Sequence, residues 1–211
     1  MSSRQRLLTA LADGLNLTGD IGGDVSTFLN RHGRPQTALH SAAVAVEARR
    51  IAGVVGISGS RAELGGWLHD VSAVFPPEER LLAARAFGIQ VLPEEEAFPL
   101  ILHQKLSVVL ARELFGIRDP EVLGAIGCHT TLRANATNLD KVLFIADKIA
   151  WDQPGAPPYR QELLAALDRS LDEATSYYLR YLWERRDTLK VLHPWLREAY
   201  AQLAGGRDQA H

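Results

Sequence analysis

The segment GGWLHDVS, residues 65–72, indicates both the fold and the chemistry of this chain. It places His69 directly before Asp70, so that an imidazole and a carboxylate stand on consecutive residues. Consecutive helical residues point about 100° apart, which lets the carboxylate reach between two ions while the imidazole serves one. The dipeptide alone is weak evidence, because chance supplies such a pair in many chains of this composition. Its weight comes from further histidines and an aspartate on other segments.

The composition is that of a single globular domain. The chain has 211 residues, of which 46% are hydrophobic and 23% are charged, with a formal net charge of -2. No basic excess favours duplex nucleic acid or anionic lipid as a partner. The single cysteine, Cys128, excludes an internal disulfide and fits a reducing compartment. Without an apolar run of about 18 residues or a secretion signal, a cytoplasmic protein with no membrane partner is expected.

Hydrophobic periodicity predicts an all-α fold. Nearly every segment has the apolar spacing of a helix, and none alternates as a strand does. We expect a small helical appendage over residues 1–32, a domain over residues 33–204 and a flexible tail over residues 205–211. Two of the predicted helices carry candidate ligands within them: one starts with the capping-box spacing of Ser60 and Glu63 and bears the His69-Asp70 pair, and an apolar one contains His103. A long helix is predicted from about Tyr159 to Lys190.

Asp147 is the most unusual residue of the chain. It lies in VLFIADKIA, residues 142–150, among apolar side chains. An unpaired carboxylate buried there would cost several kcal/mol, so Asp147 needs a cation. That cation is a lysine or arginine in the structural interpretation and a metal ion in the functional one. On this residue alone, both interpretations stay open.

The histidines indicate a metal site only when they are taken together. A single histidine on an apolar helix is more often a core or surface residue than a ligand. Each of five successive predicted helices carries one candidate ligand or a pair, as metal sites between packed helices require. The candidates are His40, His69, Asp70, His103, His129 and Asp147. Nitrogen and oxygen donors without thiolate suit iron, manganese or zinc, and so many donors suit two ions. Two ions about 3.5–4 Å apart are a known device for cleaving phosphoanhydrides.

This order of ligands resembles the HD-domain metal-dependent phosphohydrolases. More narrowly, the chain resembles the bacterial YqeK family, whose members hydrolyse diadenosine tetraphosphate symmetrically to two ADP. The matching pieces are GGWLHDVS, the His103 segment, the stretch ELFGIRDPEVLGAIGCHTTLRANATNLDKVLFIADKI over residues 113–149, and LHPWLREAY over residues 192–200. The resemblance covers residues 35–204. It implies an HD-domain helical bundle in which the six candidates above are the ligands and Asp70 is the bridging carboxylate.

The resemblance also implies a di-iron centre, although the donors equally allow manganese or zinc. Thr130, Thr131 and Arg133, in the HTTLR stretch, match a polar region where phosphate contacts are expected. Arg133 offers a planar fork for phosphate oxygens. Together with Lys105 and Lys148, it is predicted to hold the charge of a polyphosphate, while Asp70 is the predicted catalytic carboxylate.

Three departures from the family pattern lie on the substrate side. Many members carry a lysine shortly after the His-Asp pair, where this chain has VSAVFPPEER. Many follow the third histidine with Gly-Pro, where Gln104 and Lys105 stand here. The position three after His40, often arginine, is Ala43. These changes leave the ligands intact and bear on substrate choice.

The favoured function is therefore hydrolysis of a dinucleoside polyphosphate at a two-metal centre. The alternatives are a nucleotidase or general phosphohydrolase acting on mononucleotides, and a non-catalytic nucleotide-sensing module. An aromatic segment containing Tyr178, Tyr181 and Trp183 could stack a base, but packing against the core is the favoured interpretation. Cys128, beside His129, is interpreted as a small buried apolar residue rather than a ligand. The oligomeric state stays open, a homodimer included.

Overall fold

The computed structural model describes residues 1–151 and 153–204, and within them the chain forms helices and no strand. The predicted all-α class is confirmed. Short 3₁₀ turns at Val71–Val74, Pro77–Glu79, Pro99–Leu102 and Arg186–Thr188 separate some of the α-helices. The α-helices are α1 Ser3–Ala12, α2 Ile21–Arg31, α3 Pro35–Val54, α4 Gly59–Leu68, α5 Arg80–Ala86, α6 Pro93–Ala97, α7 His103–Glu113, α8 Pro120–Cys128, α9 Asn138–Ile149, α10 Arg160–Arg169, α11 Leu171–Glu184 and α12 Pro194–Leu203. In the described residues, no helix is both long and apolar enough to cross a bilayer.

Helix α9 is the centre of the bundle. It packs against α3, α4, α8, α10 and α11. Its run from Leu139 to Ala146 is buried without interruption, as expected of a helix surrounded by others. Thr137 caps its first turn, with Asp140 returning a hydrogen bond in a capping box. The last ligand candidate, Asp147, is therefore delivered from the middle of the core.

Helices α3 and α4 pack with their backbones in close contact. The contact is made at Gly66, where an added Cβ would lie 2.4 Å from the Cα of Ala45 and 2.6 Å from its backbone nitrogen. Only glycine lets two backbones come so near. This contact sets the separation of His40 on α3 from His69 at the end of α4.

The two N-terminal helices pack on the same core. In α2, Val25, Phe28 and Leu29 are buried, and Phe28 contacts the ring of Phe115 edge-on. In α1, Arg4 donates to Glu113 at 2.8 Å and to the carbonyl of Phe87 at 3.2 Å. The predicted boundary between residues 32 and 33 stays a prediction, and the predicted tail lies outside the described residues.

The prediction of one long helix from Tyr159 to Lys190 is wrong, because the structure has two α-helices and a 3₁₀ turn there. Ser170 breaks it with an extended backbone, at φ -170 and ψ 160, and separates α10 from α11. The hydroxyl of Ser170 accepts a hydrogen bond of 3.0 Å from the backbone nitrogen of Glu173, which is an ordinary N-cap. The break lets α11 fold back on α10 and pack against α9. The start of α4 also differs, since Ser58 rather than Ser60 is the N-cap.

Replacing Gly66 with alanine should destabilise the fold and displace the ligands. The new methyl would meet backbone atoms that cannot rotate away, so we expect a loss of roughly 1–3 kcal/mol, and more if the helices separate. Gly53→Ala is the matched control. Gly53 lies in α3 with nothing within 4 Å of its added Cβ, and this change should stabilise by up to about 1 kcal/mol. Thermal and denaturant unfolding would measure both; equal stability of the two variants would contradict the close contact.

Candidate metal centre

All six predicted ligands converge on one site. His40 lies in α3 and Asp147 lies near the end of α9. Three others differ from expectation, because His69, Asp70 and His103 were predicted within helices and instead stand at helix ends. His129 was expected near the C-terminal end of its helix, and it lies there. His69 and His129 are the C-cap residues of α4 and α8, Asp70 follows in a turn, and His103 is the first residue of α7.

The first half of the site joins His40, His69 and Asp147. The Nε2 atom of His40 lies 3.0 Å from Asp147 Oδ1 and 3.2 Å from His69 Nε2. His69 Nε2 is 3.5 Å from the same oxygen of Asp147. Three donor atoms on three helices thus point at one small volume, as metal ligands do.

The second half joins Asp70, His103 and His129. The Nε2 atoms of His103 and His129 lie 3.0 Å apart. Asp70 Oδ1 is 3.4 Å from His103 Nε2 and 3.6 Å from His129 Nε2. The other oxygen, Oδ2, is 3.5 Å from His69 Nε2. The two carboxylate oxygens of Asp70 therefore face different histidines, the arrangement that a bridging ligand needs.

Hydrogen bonds select the tautomer of three of the histidines. His69, His103 and His129 each have Nδ1 against the carbonyl oxygen three residues earlier, those of Gly66, Leu100 and Ile126, at 2.8, 2.6 and 2.8 Å. A carbonyl can only accept, so Nδ1 carries a proton, and whenever the ring is neutral its lone pair is on Nε2 and faces the site. Such support of the distal nitrogen is characteristic of metal-ligating histidine.

This arrangement fits a cation. With Nδ1 protonated on both rings, the lone pairs of His103 and His129 face each other at 3.0 Å. The Thr130 hydroxyl can donate to the first of them, and a cation beside both would remove the repulsion. Burial lowers the pKa of His103 to about 4, so that this ring is neutral near pH 7. The residues present therefore suit divalent ions held through nitrogen and carboxylate oxygen.

The carboxylates of the site are held ionised. Although burial opposes their charge, the neighbouring His69 and His103 hold the pKa of Asp70 well below its usual range. Burial likewise opposes the charge of Asp147, but Lys148, His40 and His69 lower its pKa in the same way. His69 shows the converse: burial disfavours its charge, yet Asp70 and Asp147 raise its pKa to about 9. The electrostatic potential at the centre is negative, so His69 holds a proton there when no other cation is bound.

Several supporting residues were missed in the sequence. The Ser72 hydroxyl donates to the carbonyl of His103 at 2.8 Å, and the Ser107 hydroxyl donates to Ser72 at 3.0 Å. The side chain of Gln104, fully buried, accepts from the backbone nitrogen of Thr130 at 3.2 Å and donates to the Thr131 hydroxyl at 3.2 Å. These bonds fix the start of α7 against the ends of α4 and α8. In the sequence, these residues could have been noticed as polar residues that stand among apolar ones, as Gln104 and Ser107 do in ILHQKLSVVL.

Of the predicted substrate-side residues, Thr130 and Lys148 contact the ligands directly. The Thr130 hydroxyl lies 2.9 Å from His103 Nε2. The Lys148 ammonium is bonded to Asp147 Oδ2. Thr131 is buried and its hydroxyl is bonded to Gln104 and to its neighbour's carbonyl.

The other two predicted cations are bonded to carboxylates outside the ligand set. Arg133 donates twice to Asp140 Oδ2, through Nε at 3.1 Å and through Nη2 at 2.9 Å. Lys105 donates to Glu95 at 2.7 Å and to the carbonyl of Gln90 at 3.0 Å. Their substrate roles stay predictions, since both charges already have a protein partner.

The aromatic side chains of Tyr178, Tyr181 and Trp183 pack against other aromatic rings of the protein, in agreement with the favoured interpretation of this segment. Tyr178 is buried and stacks on Tyr181 with centroids 5.8 Å apart. Trp183 stacks on Tyr200 at 4.3 Å. Cys128 is fully buried and free, with its thiol directed at the carbonyl of Ala125 at 3.8 Å, consistent with a packing role.

Comparison with known proteins agrees with this site. The family model described as HD domain matches residues 37–152, which include all six candidate ligands. The chain belongs to the HD domain family. The HD-domain phosphohydrolase resemblance stated from the sequence is thereby confirmed, and a metal-dependent phosphohydrolase is the family-level activity.

Three relatives in bacteria cover most of the chain. A Lactococcus lactis subsp. cremoris protein described as an uncharacterized protein in the pepC 5' region is 49% identical over 70% of this chain and 74% of its own length. The Staphylococcus aureus symmetrical bis(5'-nucleosyl)-tetraphosphatase is 30% identical over 71% of this chain and 79% of its own length. The Bacillus subtilis protein of the same name is 25% identical, over 70% and 80%.

A solved structure shares the fold. It is the crystal structure of a predicted HD superfamily hydrolase involved in NAD metabolism from Clostridium acetobutylicum. The TM-score is 0.78 at 27% identity, and the similarity covers 86% of this chain and 95% of that one. The helical bundle that carries the six ligands is thus a known family architecture.

Replacing Asp70 with alanine should reduce metal content more than replacing any single histidine of the site. The two oxygens of Asp70 face different histidines, so its loss removes a donor from both halves and leaves two cations without an anion between them. Elemental analysis of the purified variants, prepared without chelators, measures this. His40→Ala is the comparison, since His40 serves only the half with Asp147. Wild-type metal content in Asp70→Ala would refute the bridge.

Metal binding should release a proton from His69. Because its pKa is raised to about 9, this ring is protonated at pH 7.5 and must lose the proton before Nε2 can bind an ion. We therefore expect release of about one proton per chain from His69, and an affinity for Mn²⁺ that rises as the pH increases toward 9. Calorimetry in buffers of different protonation enthalpy measures the release. An affinity independent of pH between 7 and 9 would contradict it.

Proposed function

We propose that this chain hydrolyses diadenosine tetraphosphate symmetrically to two ADP at a centre of two transition-metal ions, with iron as the resident metal. The observation that carries the proposal is the pair of ligand groups joined through the two oxygens of Asp70. Five of the donors fall in two groups that share His69, and His103 Nε2 lies 3.0 Å from His129 Nε2. So many donors suit two ions better than one. The relatives from Staphylococcus aureus and Bacillus subtilis that bear the tetraphosphatase name support the choice of substrate.

Bound divalent ions would act there as Lewis acids on a phosphoryl oxygen and would lower the pKa of a water molecule. His40, His69 and Asp147 would hold one ion, His103 and His129 the other, and Asp70 would contact both. The donor set alone also accepts manganese or zinc. Iron is the part of the proposal that elemental analysis tests directly.

The residues around the centre are assigned roles that follow from their contacts. The Thr130 hydroxyl lies 2.9 Å from His103 Nε2. When an ion occupies that nitrogen, the hydroxyl would be free to donate to a phosphoryl oxygen at the centre. Lys148 balances part of the charge of Asp147 and would orient the phosphate bound next to it. Arg133, whose side chain is 40% exposed, keeps one side of its guanidinium on Asp140 and would present the remaining donors to the chain of phosphates.

Lys105 and Thr131 are proposed to act less directly. The Lys105 ammonium lies 5.0 Å from the ring of Trp195 and is bonded to Glu95, so it would contribute a positive field more than a contact. Thr131 would position Gln104 and, through it, the backbone of Thr130. Asp70 remains the proposed catalytic carboxylate through its hold on both ions.

The products decide between this function and its alternatives. Incubation of the metal-loaded protein with diadenosine tetraphosphate, followed by chromatography, should give ADP alone, because a central cut is the only one that yields two identical nucleotides. ATP with AMP would mean that a different bond is attacked. Phosphate released from mononucleotides, with the dinucleotide untouched, would establish a nucleotidase. Binding without any product would indicate a sensor. Asp70→Ala, which should form no ADP, is the control for contaminating activity.

A further inference from the structure

A cleft opens directly beside the metal centre. It has a volume of about 440 Å³. Its lining residues lie on α3, at the end of α9 or just after it, and at the start of α10, and they include Leu39, His40, Ala43, Ile149, Trp151 and Arg160. Since His40 is one of its walls, a molecule in this cleft would touch the centre. The volume falls in the range of roughly 300–1,000 Å³ that small-molecule sites occupy. A larger cleft of about 870 Å³, beside Trp67, is lined by none of the six ligands.

Large apolar side chains are left in water at this cleft. Leu39, which directly precedes His40 in the chain, is 67% exposed, and Trp151 is 40% exposed. Ile149, the last residue of α9, adds a further apolar surface to the wall. Exposed apolar side chains that are grouped around a concave polar centre mark binding sites more often than chance exposure does.

The ring of Trp151 is held in place from behind. It meets Tyr159 edge-on, with centroids 6.3 Å apart and planes at 89°. Tyr159 is itself buried and contacts Tyr178 at 4.8 Å and Tyr181 at 5.0 Å. The aromatic segment therefore supports the indole rather than binding a ligand itself. A ring fixed at one edge and open elsewhere is a ready stacking surface.

Polar groups complete the cleft. Gln36 and Arg160 line it together with the apolar residues. An amide can pair with the edge of a base or with a ribose hydroxyl, and a guanidinium can pair with phosphate oxygens. Ala43 also lines the cleft, and its small side chain leaves room for a ring.

We propose that this cleft binds one nucleoside of the substrate, with the base stacked on Trp151 against Leu39 and the phosphates extending past His40 into the metal centre. The assignment rests on the proposed function, since it names where a nucleotide substrate is held. In this assignment, Trp151 and Leu39 determine that the protein prefers a nucleotide to a phosphate chain without a nucleoside. Any base can stack on an aromatic side chain, so the site would favour ligands that carry a base and discriminate little between different bases.

Binding of ADP and of inorganic pyrophosphate to the metal-loaded protein tests this site by calorimetry, without turnover. The two ligands share a diphosphate and differ by the nucleoside. Trp151→Ala should weaken ADP binding roughly 10-fold or more, as loss of a base–aromatic stack does, and should leave pyrophosphate binding within about twofold. Trp151→Phe should retain most of the affinity for ADP, because it keeps an aromatic face.

Two matched controls lie elsewhere on the surface. Trp183→Ala removes an indole that is stacked on Tyr200 outside the cleft, and it should not change ADP binding. Leu82 is 67% exposed on α5, as Leu39 is on α3, so Leu39→Ser should weaken ADP binding while Leu82→Ser should not. Thermal unfolding of each variant confirms that the fold is retained.

The outcomes separate this site from the proposed reaction. Equal affinity of the wild type for ADP and pyrophosphate, or ADP binding unaffected by Trp151→Ala, would overturn the nucleoside site even if the dinucleotide is cut. ADP binding that depends on Trp151, in a protein that leaves diadenosine tetraphosphate intact, would support the site and refute the proposed function. ADP binding lost in Trp151→Ala and retained in Trp151→Phe is the expected result.

Discussion

The structure depends on one electrostatic constraint: two ionised carboxylates and the lone pairs of several imidazoles are directed into the same buried volume. Hydrogen bonds from Nδ1 to backbone carbonyls prevent His69, His103 and His129 from turning their protonated nitrogens inward. With those tautomers selected, the Nε2 lone pairs and the two carboxylates concentrate negative potential that a cation or a proton neutralises. Dense negative potential inside a helical core is unfavourable unless it is neutralised, which makes the centre a binding site rather than a packing feature.

The helix ends serve this constraint. Carbonyl groups in the last turn of a helix lack an N–H partner from the helix itself. His69 and His129 stand at such ends, and each binds the carbonyl three residues before it. The centre thus uses groups that the fold leaves unsatisfied to orient its ligands. The close contact of Gly66 with Ala45 then brings the end of α4 within reach of His40 on α3.

The cations predicted to serve the substrate already have carboxylate partners. Lys148 neutralises part of the negative charge of the centre by bonding Asp147, whereas Arg133 and Lys105 are bonded to Asp140 and Glu95, outside the candidate ligand set. A polyphosphate would meet cations whose positions are already set by protein partners, so little side-chain freedom would be lost on binding. The apolar cleft beside His40 offers the complementary surface for the uncharged end of a nucleotide.

The sequence by itself was enough to predict the all-α class and to name the six candidate ligands that the fold brings together. Ligand identity is a matter of residue type and order, and an ionisable residue such as Asp147 in an apolar helix is visible without coordinates. The family resemblance was carried by the same local motifs. These features depend on interactions that are encoded within short segments of the chain.

Only the tertiary structure decided where the helices end and which groups pair. His69 and Asp70 were expected inside a helix, and Ser170 was not recognised as a break, because helix ends depend on packing as much as on capping residues. The partners of Arg133 and Lys105 likewise follow from how the loops pack. The cleft at Trp151 joins residues more than a hundred positions apart, from Leu39 to Arg160, and such proximity arises only when helices far apart in sequence are packed together.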